Sequence, residues 1–283
     1  MVGPIKKIFR IIWLRLMRLR NVPVSVRVGR NRLVGYPRDY IFARSYISNR
    51  LYFQDETELT LGHFIQNDSP RRGRKVALEV GANIGTQTLI LAQSSLFDLV
   101  VAIEPQEKIV PILRSNLNLN DTVSRVLVCP VGVSDVPSSE TMFIDPKNLG
   151  AASFSKNLPQ FRPQASVSEN ILELKTLASV LHENKINAQE VAFVWVDAEG
   201  FELKVLTSMF DAGIFPDLLV VEFSPSLLGE EDAIKFVNFL FSSAESVSIV
   251  TEMKIVEQGR DFFSRAITEG RQLDVVAVMK RSH

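Results

Sequence analysis

The sequence predicts an α/β fold, in which a mainly parallel sheet of seven strands carries helices on both faces. Short apolar runs rich in β-branched residues alternate along the chain with stretches of helical periodicity. Such runs are typical of strands buried on both faces, and strands separated by helices form a parallel sheet. An acidic residue stands at the end of each of the first five strands, which predicts a ligand site at one edge of the sheet.

The predicted strands and helices follow one another in regular order. The core strands are Val76–Val80, Leu99–Ile103, Arg125–Val131, Val191–Val196, Leu218–Phe223, Val247–Thr251 and Leu273–Met279, with an added strand at Asn170–Leu174. Helical periodicity covers Ile5–Arg20, Asp55–Gln66, Glu107–Asn118 and Thr176–Asn184, and begins again at Thr86 and Glu202. A polar segment without a clear helical pattern joins the last two core strands, so we expect them to form an antiparallel hairpin at one edge.

The composition is that of a globular protein in a reducing compartment. Of 283 residues, 46% are hydrophobic and 23% are charged, which is ordinary for a soluble chain. Cys129 is the only cysteine, so no disulfide can form within the chain. No apolar stretch reaches membrane-spanning length without charges, and arginines interrupt the apolar segment near the start, which argues against a secretory signal. We therefore expect a cytoplasmic protein.

Charge is unevenly distributed, although the net charge is zero. The first 50 residues contain 12 lysines and arginines but a single acid, Asp39. Helical spacing over Ile5–Arg20 gathers six large apolar residues on one face and basic residues on the other. Such a helix suits the surface of an anionic membrane, but its apolar face could equally pack on the rest of the chain or on a second subunit. Nucleic acid is an unlikely partner, because no RNA-binding signature accompanies the charge.

A glycine turn follows the first core strand, with Glu79 before it, Gly81, Ala82, Asn83 and Gly85 in it, and Thr88 on the helix after it. Backbone N–H groups at such a turn can face a ligand, and we expect a side chain at position 81 to fill the space that the ligand needs. Glu104 and Pro105 end the second strand, where an acid suits ribose hydroxyls. The spacing is closer to that of S-adenosylmethionine sites than to the G-x-G-x-x-G of dinucleotide sites.

The strand-end acids divide into two groups by position. Glu79 and Glu104 are expected to serve a cofactor, and Asp135 to accept a hydrogen bond from an adenine amino group. Asp197 and Glu222, after the fourth and fifth strands, would face the transferred group. The histidines lie in predicted helices or at residue 283, so a carboxylate is the expected general base: Asp197 first, then Glu222 and Glu199. Glu202, at a helix start, is at least as consistent with a structural role.

The chain resembles the FkbM-type S-adenosylmethionine-dependent methyltransferases over roughly residues 55 to 280. The matching segments are Glu79–Gly85 with Thr88-Leu89, Ala102–Pro105, Asn116–Asn120, Val131–Asp135, Asn148–Ser153, Leu174–Leu177, Val196–Leu203 and Val221-Glu222. It departs from the family's commonest pattern in having Glu79 where Asp is frequent and Thr-Leu-Ala where Leu-Asp-Asp often stands. The resemblance implies a class I, Rossmann-like methyltransferase fold and usually O-methylation of sugars, glycans, lipids or polyketides.

The sequence therefore predicts a basic extension over residues 1–54 and a methyltransferase domain over 55–283, in which an insertion at 138–175 would cover the acceptor as a lid. The expected cofactor is S-adenosylmethionine, and no metal is expected. Its predicted ligands are Glu79, Gly81, Ala82, Asn83, Gly85, Thr88, Glu104, Pro105, Ser134, Asp135 and Asp197. The expected acceptor is a hydroxyl or carboxyl group on a small molecule or glycan. The alternative is a non-catalytic domain that keeps the fold and docks to a membrane or complex through its basic helix.

Overall fold

A computed structural model of the chain describes residues 3–20, 22–70, 73–145, 148–153 and 168–280. Its helices are α1 (Pro4–Met17), α2 (Tyr40–Ser48), α3 (Gln54–Asn67), α4 (Thr86–Gln93), α5 (Val110–Leu119), α6 (Leu177–Glu183), α7 (Glu202–Asp211), α8 (Pro225–Leu228), α9 (Glu230–Ser243) and α10 (Arg260–Glu269). Its strands are β1 (Val24–Val28), β2 (Asn31–Gly35), β3 (Val76–Val80), β4 (Leu99–Ile103), β5 (Val126–Cys129), β6 (Gly132–Val133), β7 (Ser138–Asp145), β8 (Asn148–Ser153), β9 (Ser168–Lys175), β10 (Val191–Val196), β11 (Leu218–Phe223), β12 (Ala244–Thr251), β13 (Lys254–Glu257) and β14 (Leu273–Met279).

The central sheet has the strand order β13-β12-β14-β11-β10-β3-β4-β5. The five strands from β11 to β5 are parallel, and β14, β12 and β13 are antiparallel to their neighbours. Every residue of β3 and β10 is buried, which explains why β10 is apolar throughout and β3 is apolar except for Glu79. Two apolar cores, one on each face of the sheet, hold the helices. The predicted α/β architecture is confirmed, with eight strands in this sheet instead of seven.

The edge of the sheet differs from the prediction. β12 and β14 do pair antiparallel, but no simple loop joins them, because β13 and α10 lie between them in the chain. The direct hairpin is β12–β13, whose turn residues Glu252 and Met253 both have positive φ. These residues lack the Asn-Gly signature of a two-residue turn, so the hairpin was not predicted from the sequence. α10 was missed because only Phe263 and Ala266 of its polar sequence are buried.

A second sheet, of order β6-β9-β7-β8, is formed mostly by the segment predicted as an insertion. β7 pairs antiparallel with β8 and β9, and β9 contains the added strand predicted at Asn170–Leu174. Residues 146–147 and 154–167 of the predicted insertion lie outside the described residues, so the lid stays a prediction.

The segment before α3 packs on the rest of the chain. The side chain of Asn116 on α5 accepts a hydrogen bond from Val34 N at 2.6 Å and donates one to Val34 O at 3.1 Å. Leu33 of β2 and Phe42 of α2 are fully buried in the core that also holds α4 and α5. The division at residue 54 stays a prediction about domain organisation. In the described part of the chain, no helix combines the length and the apolar character needed to cross a membrane.

Candidate active site

The turn after β3 lies directly against the end of β10. Gly81 has φ of +90°, and a Cβ built on it would lie 1.8 Å from the backbone oxygen of Asp197. The N–H groups of Gly81 and Ala82 both donate to the carbonyl of Ile103, at 3.0 Å, and so fasten the turn to β4. The predicted reason for a glycine at position 81 is therefore wrong. A side chain there would collide with the backbone of Asp197 before it could fill the space of a ligand. The glycine is required because two backbone segments meet there.

Glu104 fastens the same turn from the end of β4. Its Oε2 accepts a hydrogen bond from Asn83 N at 2.8 Å, and its Oε1 accepts one from Gln106 N at 2.9 Å. Burial raises the pKa of Glu104 to about 7, although these bonds oppose the shift. Each carboxylate oxygen has a second lone pair, so Glu104 can still accept hydrogen bonds from a ligand.

Glu79 and Thr88 form a buried pair beneath the turn. Thr88 Oγ1 donates to Glu79 Oε2 at 2.6 Å, and both side chains are almost completely buried. Burial raises the pKa of Glu79 to about 8, and the negative charges of Glu104 and Asp197 add to the shift. The pair connects β3 to α4 and shapes the turn from below.

A cavity opens above these groups, at the carboxyl ends of β3, β4 and β10. Its empty volume is about 790 Å³, including the space at its mouth that is open to solvent. Of the predicted site residues it is lined by Gly81, Asn83, Glu104, Pro105, Asp197 and Glu199. The remaining ones, which do not line it, are Glu79, Ala82, Gly85, Thr88, Ser134, Asp135 and Glu222.

Asp197 lies among other carboxylates. Asp197, Glu202 and Glu222 each offer an oxygen atom, and these atoms lie within 4.8 Å of one another. Burial, followed by the charge of Glu202, raises the pKa of Asp197. Burial, followed by the charge of Asp197, raises the pKa of Glu222. Three carboxylates this close repel one another when ionised, so the cluster favours either a proton or a cation.

Glu202 organises the turn between β10 and α7. Its side chain is fully buried and accepts hydrogen bonds from Ala198 N and Gly200 N, each at 3.0 Å. These bonds hold Glu199 at φ +52° and Gly200 at φ +101°. The structural role considered for Glu202 is thus the one that its contacts support, and the turn places Glu199 on the cavity wall.

Two parts of the cavity wall were not found from the sequence. The roof consists of Ile41, Tyr52, Phe53 and Met142, from α2, the segment before α3, and β7. Burial, followed by the charges of Tyr40 and Asp197, raises the pKa of Tyr52 to about 12. Gln106 also lines the cavity, and its buried Oε1 has no hydrogen-bond partner among the described residues. The Tyr52-Phe53 pair and the glutamine directly after Glu104-Pro105 are the sequence features that could have indicated these two parts of the wall.

Three residues of the cavity wall have a left-handed backbone conformation. Phe53, Asn83 and Glu199 are non-glycine residues with φ of +57°, +49° and +52°, and all three line the cavity. Such conformations cost about 1–3 kcal/mol each. The surrounding contacts, such as the hydrogen bond from Asn83 N to Glu104, must therefore hold these segments in place.

The comparison with known families agrees with this geometry. Residues 79–248, more than half of the chain, match the methyltransferase FkbM domain. The chain belongs to the FkbM methyltransferase family. That family uses S-adenosylmethionine as its cofactor, and the predicted class I, Rossmann-like fold is confirmed. No curated protein sequence matches this FkbM methyltransferase significantly.

Solved structures similar to this FkbM methyltransferase have low sequence identity to it. An O-methyltransferase from Bacillus cereus in complex with SAH is 15% identical, over 78% of this chain and 79% of that one, with a TM-score of 0.40. The O-methyltransferase TomG from Streptomyces achromogenes, involved in tomaymycin synthesis and solved with SAM, is 12% identical, over 81% of each chain, with a TM-score of 0.44. Cofactor-bound Rv0187 from MTB is 12% identical, over 96% of this chain and 90% of that one, with a TM-score of 0.43.

Proposed function

We propose that this protein transfers the methyl group of S-adenosylmethionine to an oxygen atom of an acceptor, and that Asp197 is the general base. The observation that carries the proposal is the position of Asp197. Asp197 directly follows β10 and lines the cavity, its backbone oxygen lies against the glycine turn, and its carboxyl group lies close to those of Glu202 and Glu222. A hydroxyl acceptor must lose its proton, and a carboxylate within reach can take it.

The residues of the cavity fit the cofactor. Its walls offer negative charge from Glu104 and Asp197, which suits a ligand that carries a sulfonium and an ammonium group. The unpartnered Oε1 of Gln106 can accept an N–H from the ligand. When bound, S-adenosylmethionine supplies a methyl group on a positively charged sulfur, which leaves with the bonding electrons as a neutral thioether. The protein's part is to hold the acceptor oxygen, exclude water and receive the proton.

The raised pKa of Asp197 matches the task of a base. A carboxyl group at its ordinary pKa is too weak to take a proton from a hydroxyl, and burial among other acids makes it stronger. Ile41 and Phe53 place apolar side chains on the cavity wall, beside which electrostatic interactions are less screened than in bulk water. For the acceptor we propose a hydroxyl or carboxyl group on a sugar, glycan, lipid-linked molecule or natural product, as the family resemblance implies.

The test compares Asp197→Asn with the unchanged protein. The substitution keeps the shape of the side chain but removes its charge and basicity, so cofactor binding by calorimetry should persist while turnover falls by about 10²-fold or more. Asp211→Asn is the matched control, because Asp211 is an exposed acid at the end of α7 and does not line the cavity. Acceptors are found by screening glycan and lipid extracts with radiolabelled S-adenosylmethionine.

Three outcomes would count against the proposal. Full turnover by Asp197→Asn would assign the base role to Glu199 or Glu222, or to solvent. Equal losses of turnover in Asp197→Asn and Asp211→Asn would remove the special position of Asp197. Tight cofactor binding without methyl transfer to any acceptor would favour the non-catalytic alternative.

A further inference from the structure

Helix α1 presents its apolar face to solvent. Ile5, Ile8, Phe9, Ile12 and Leu16 form one stripe along it, Leu19 follows just past its end, and these side chains are 48% to 80% exposed. At 3.6 residues per turn the stripe spans an arc of roughly 100°. Apolar residues scattered singly on a surface need no explanation, but a continuous stripe along a helix marks an interaction surface.

The opposite side of α1 is fastened to α2. Leu14 is buried, and the Trp13 and Tyr46 rings lie with their centroids 5.1 Å apart. The guanidinium of Arg10 lies 4.8 Å from the centroid of the Tyr46 ring and donates to Asn49 Oδ1 at 2.8 Å. These contacts fix the rotation of α1 about its axis, so the apolar stripe faces away from the described part of the chain.

Basic residues accompany the stripe. Lys6, Lys7, Arg15 and Arg20 are exposed, and at helical spacing Arg15 lies on one side of the stripe and Lys6 and Arg20 on the other. The sequence contains no acid before Asp39. If two copies paired through this face about a two-fold axis, the same cations would meet one another with no acid beside them. The surface is therefore complementary to an anionic partner, and unsuited to a second copy of itself.

We propose that α1 docks this protein on an anionic membrane surface, with the helix lying parallel to the bilayer. With 14 residues, α1 is about 21 Å long, shorter than the roughly 30 Å hydrocarbon core of a bilayer. Its apolar stripe enters the boundary between headgroups and acyl chains, and Lys6, Arg15 and Arg20 contact anionic headgroups. This docking is independent of the methyl transfer proposed above.

The docking site lies close to the cavity. α2 carries Tyr46 against α1 and Ile41 on the cavity wall, so a single helix separates the membrane contact from the roof of the site.

The test measures sedimentation of the full chain with vesicles of equal parts phosphatidylglycerol and phosphatidylcholine. We expect binding that is absent with phosphatidylcholine alone and falls steeply when salt rises from 0.1 to 0.5 M. The variant Ile8→Gln/Phe9→Gln/Ile12→Gln should lower the affinity on the order of 100-fold. Lys6→Gln/Arg15→Gln should lower it by roughly fivefold for each cation removed.

The matched control is Ile65→Gln/Val136→Gln/Ile171→Gln, which removes three apolar residues that are similarly exposed but lie elsewhere. It should bind vesicles like the unchanged protein. All variants should keep the same melting temperature and cofactor affinity, because none of these residues is buried or lines the cavity. Absence of vesicle binding at low salt, or equal losses in the stripe and control variants, would overturn the proposal. So would a dimer in light scattering that only the stripe variant dissociates.

Discussion

Gly81 links the glycine turn after β3 to Asp197, the proposed base. The backbone oxygen of Asp197 occupies the position that any Cβ would take, and Asp197 N donates to Val80 O at 2.9 Å. The overlap is with a backbone oxygen, so no rotation of a side chain can relieve it. The turn and the base must therefore shift together.

We expect Gly81→Ala to lower the melting temperature and to abolish cofactor binding and turnover at once. A positive φ alone costs an L-residue about 1–2 kcal/mol, and the 1.8 Å overlap with Asp197 O adds to that cost. Gly213→Ala is the matched control, because Gly213 has φ of +68° but no atom within 4 Å of its Cβ position. Differential scanning calorimetry should show a clearly larger loss at position 81. Equal losses of melting temperature in the two variants would mean that glycine is needed at position 81 for its positive φ, and not because Asp197 O lies so close.

At the scale of elements, the site depends on how β10 ends and α7 begins. Glu202 in the first turn of α7 holds the N–H groups of Ala198 and Gly200, and so places Asp197 and Glu199 on the cavity. The acid at the helix start does not only complement the helix dipole. It replaces the missing backbone partners of a turn that contains two residues with positive φ.

Replacing Glu202 by Ala should destabilise the protein by about 1–3 kcal/mol, because two partly buried N–H groups lose a charged acceptor. Turnover should fall with it, since the Asp197–Gly200 turn loses its support. The control is Glu230→Ala, which removes an exposed acid from the first turn of α9. Chemical denaturation measures both effects. Unchanged stability in Glu202→Ala would show that water replaces the carboxylate.

The carboxylate cluster also bears on metal dependence. Glu202 accepts hydrogen bonds from backbone N–H groups through both oxygens, and Glu222 Oε1 accepts one from Gln272, so fewer lone pairs are left for a cation. We therefore expect turnover to persist after dialysis against EDTA, measured with the acceptor found in the screen. Loss of activity that Mg²⁺ restores would instead show that Asp197, Glu202 and Glu222 hold a cation.

At the scale of the whole molecule, the fold concentrates buried acids around one cavity. The pKa values of Glu79, at about 8, and of Glu104, at about 7, are raised mainly by burial. The pKa values of Asp197, Glu202, Glu222 and Asp274 are raised in the same direction. The empty protein is thus destabilised by charges that a cationic ligand would satisfy.

This arrangement predicts a dependence of stability on pH. Because these acids bind protons more tightly in the folded state, their contribution to stability is complete below about pH 4.5 and is lost as pH rises through 7 to 8. His63, whose pKa burial lowers, acts in the opposite direction but is a single group. Thermal unfolding of the empty protein should show this fall between pH 5.5 and 8.5.

Cofactor binding should follow the opposite trend. Because a positive sulfonium favours ionised carboxylates, the affinity for S-adenosylmethionine should rise over the same pH range relative to that for S-adenosylhomocysteine, which lacks the charge. Calorimetry with the two ligands measures the ratio, and Glu104→Gln should flatten it. A ratio that does not change with pH would show that these acids do not face the sulfonium.

Most of the central sheet could be predicted from the sequence, because strands buried on both faces are almost entirely apolar. Val76–Val80, Leu99–Ile103 and Val191–Val196 were therefore predicted with the bounds that the structure has. The sequence also located the glycine turn and Asp197, since ligand sites of such sheets lie at the carboxyl ends of the strands. α10 and the β12–β13 hairpin were not predicted, because the sequences of α10 and β13 are mostly polar and their burial depends on neighbours far along the chain.

Contacts between residues that are distant in the sequence depend on the tertiary structure. Tyr52 and Phe53 reach the cavity across a contact between distant segments, and nothing in their local sequence specifies it. The same holds for the overlap between Gly81 and Asp197, which are 116 positions apart in the chain. The periodicity of Ile5–Arg20 predicted an apolar face but not which side of the helix would pack. That side was decided by Leu14, Trp13 and Arg10, because α2 offers them Tyr46 and leaves the apolar stripe uncovered.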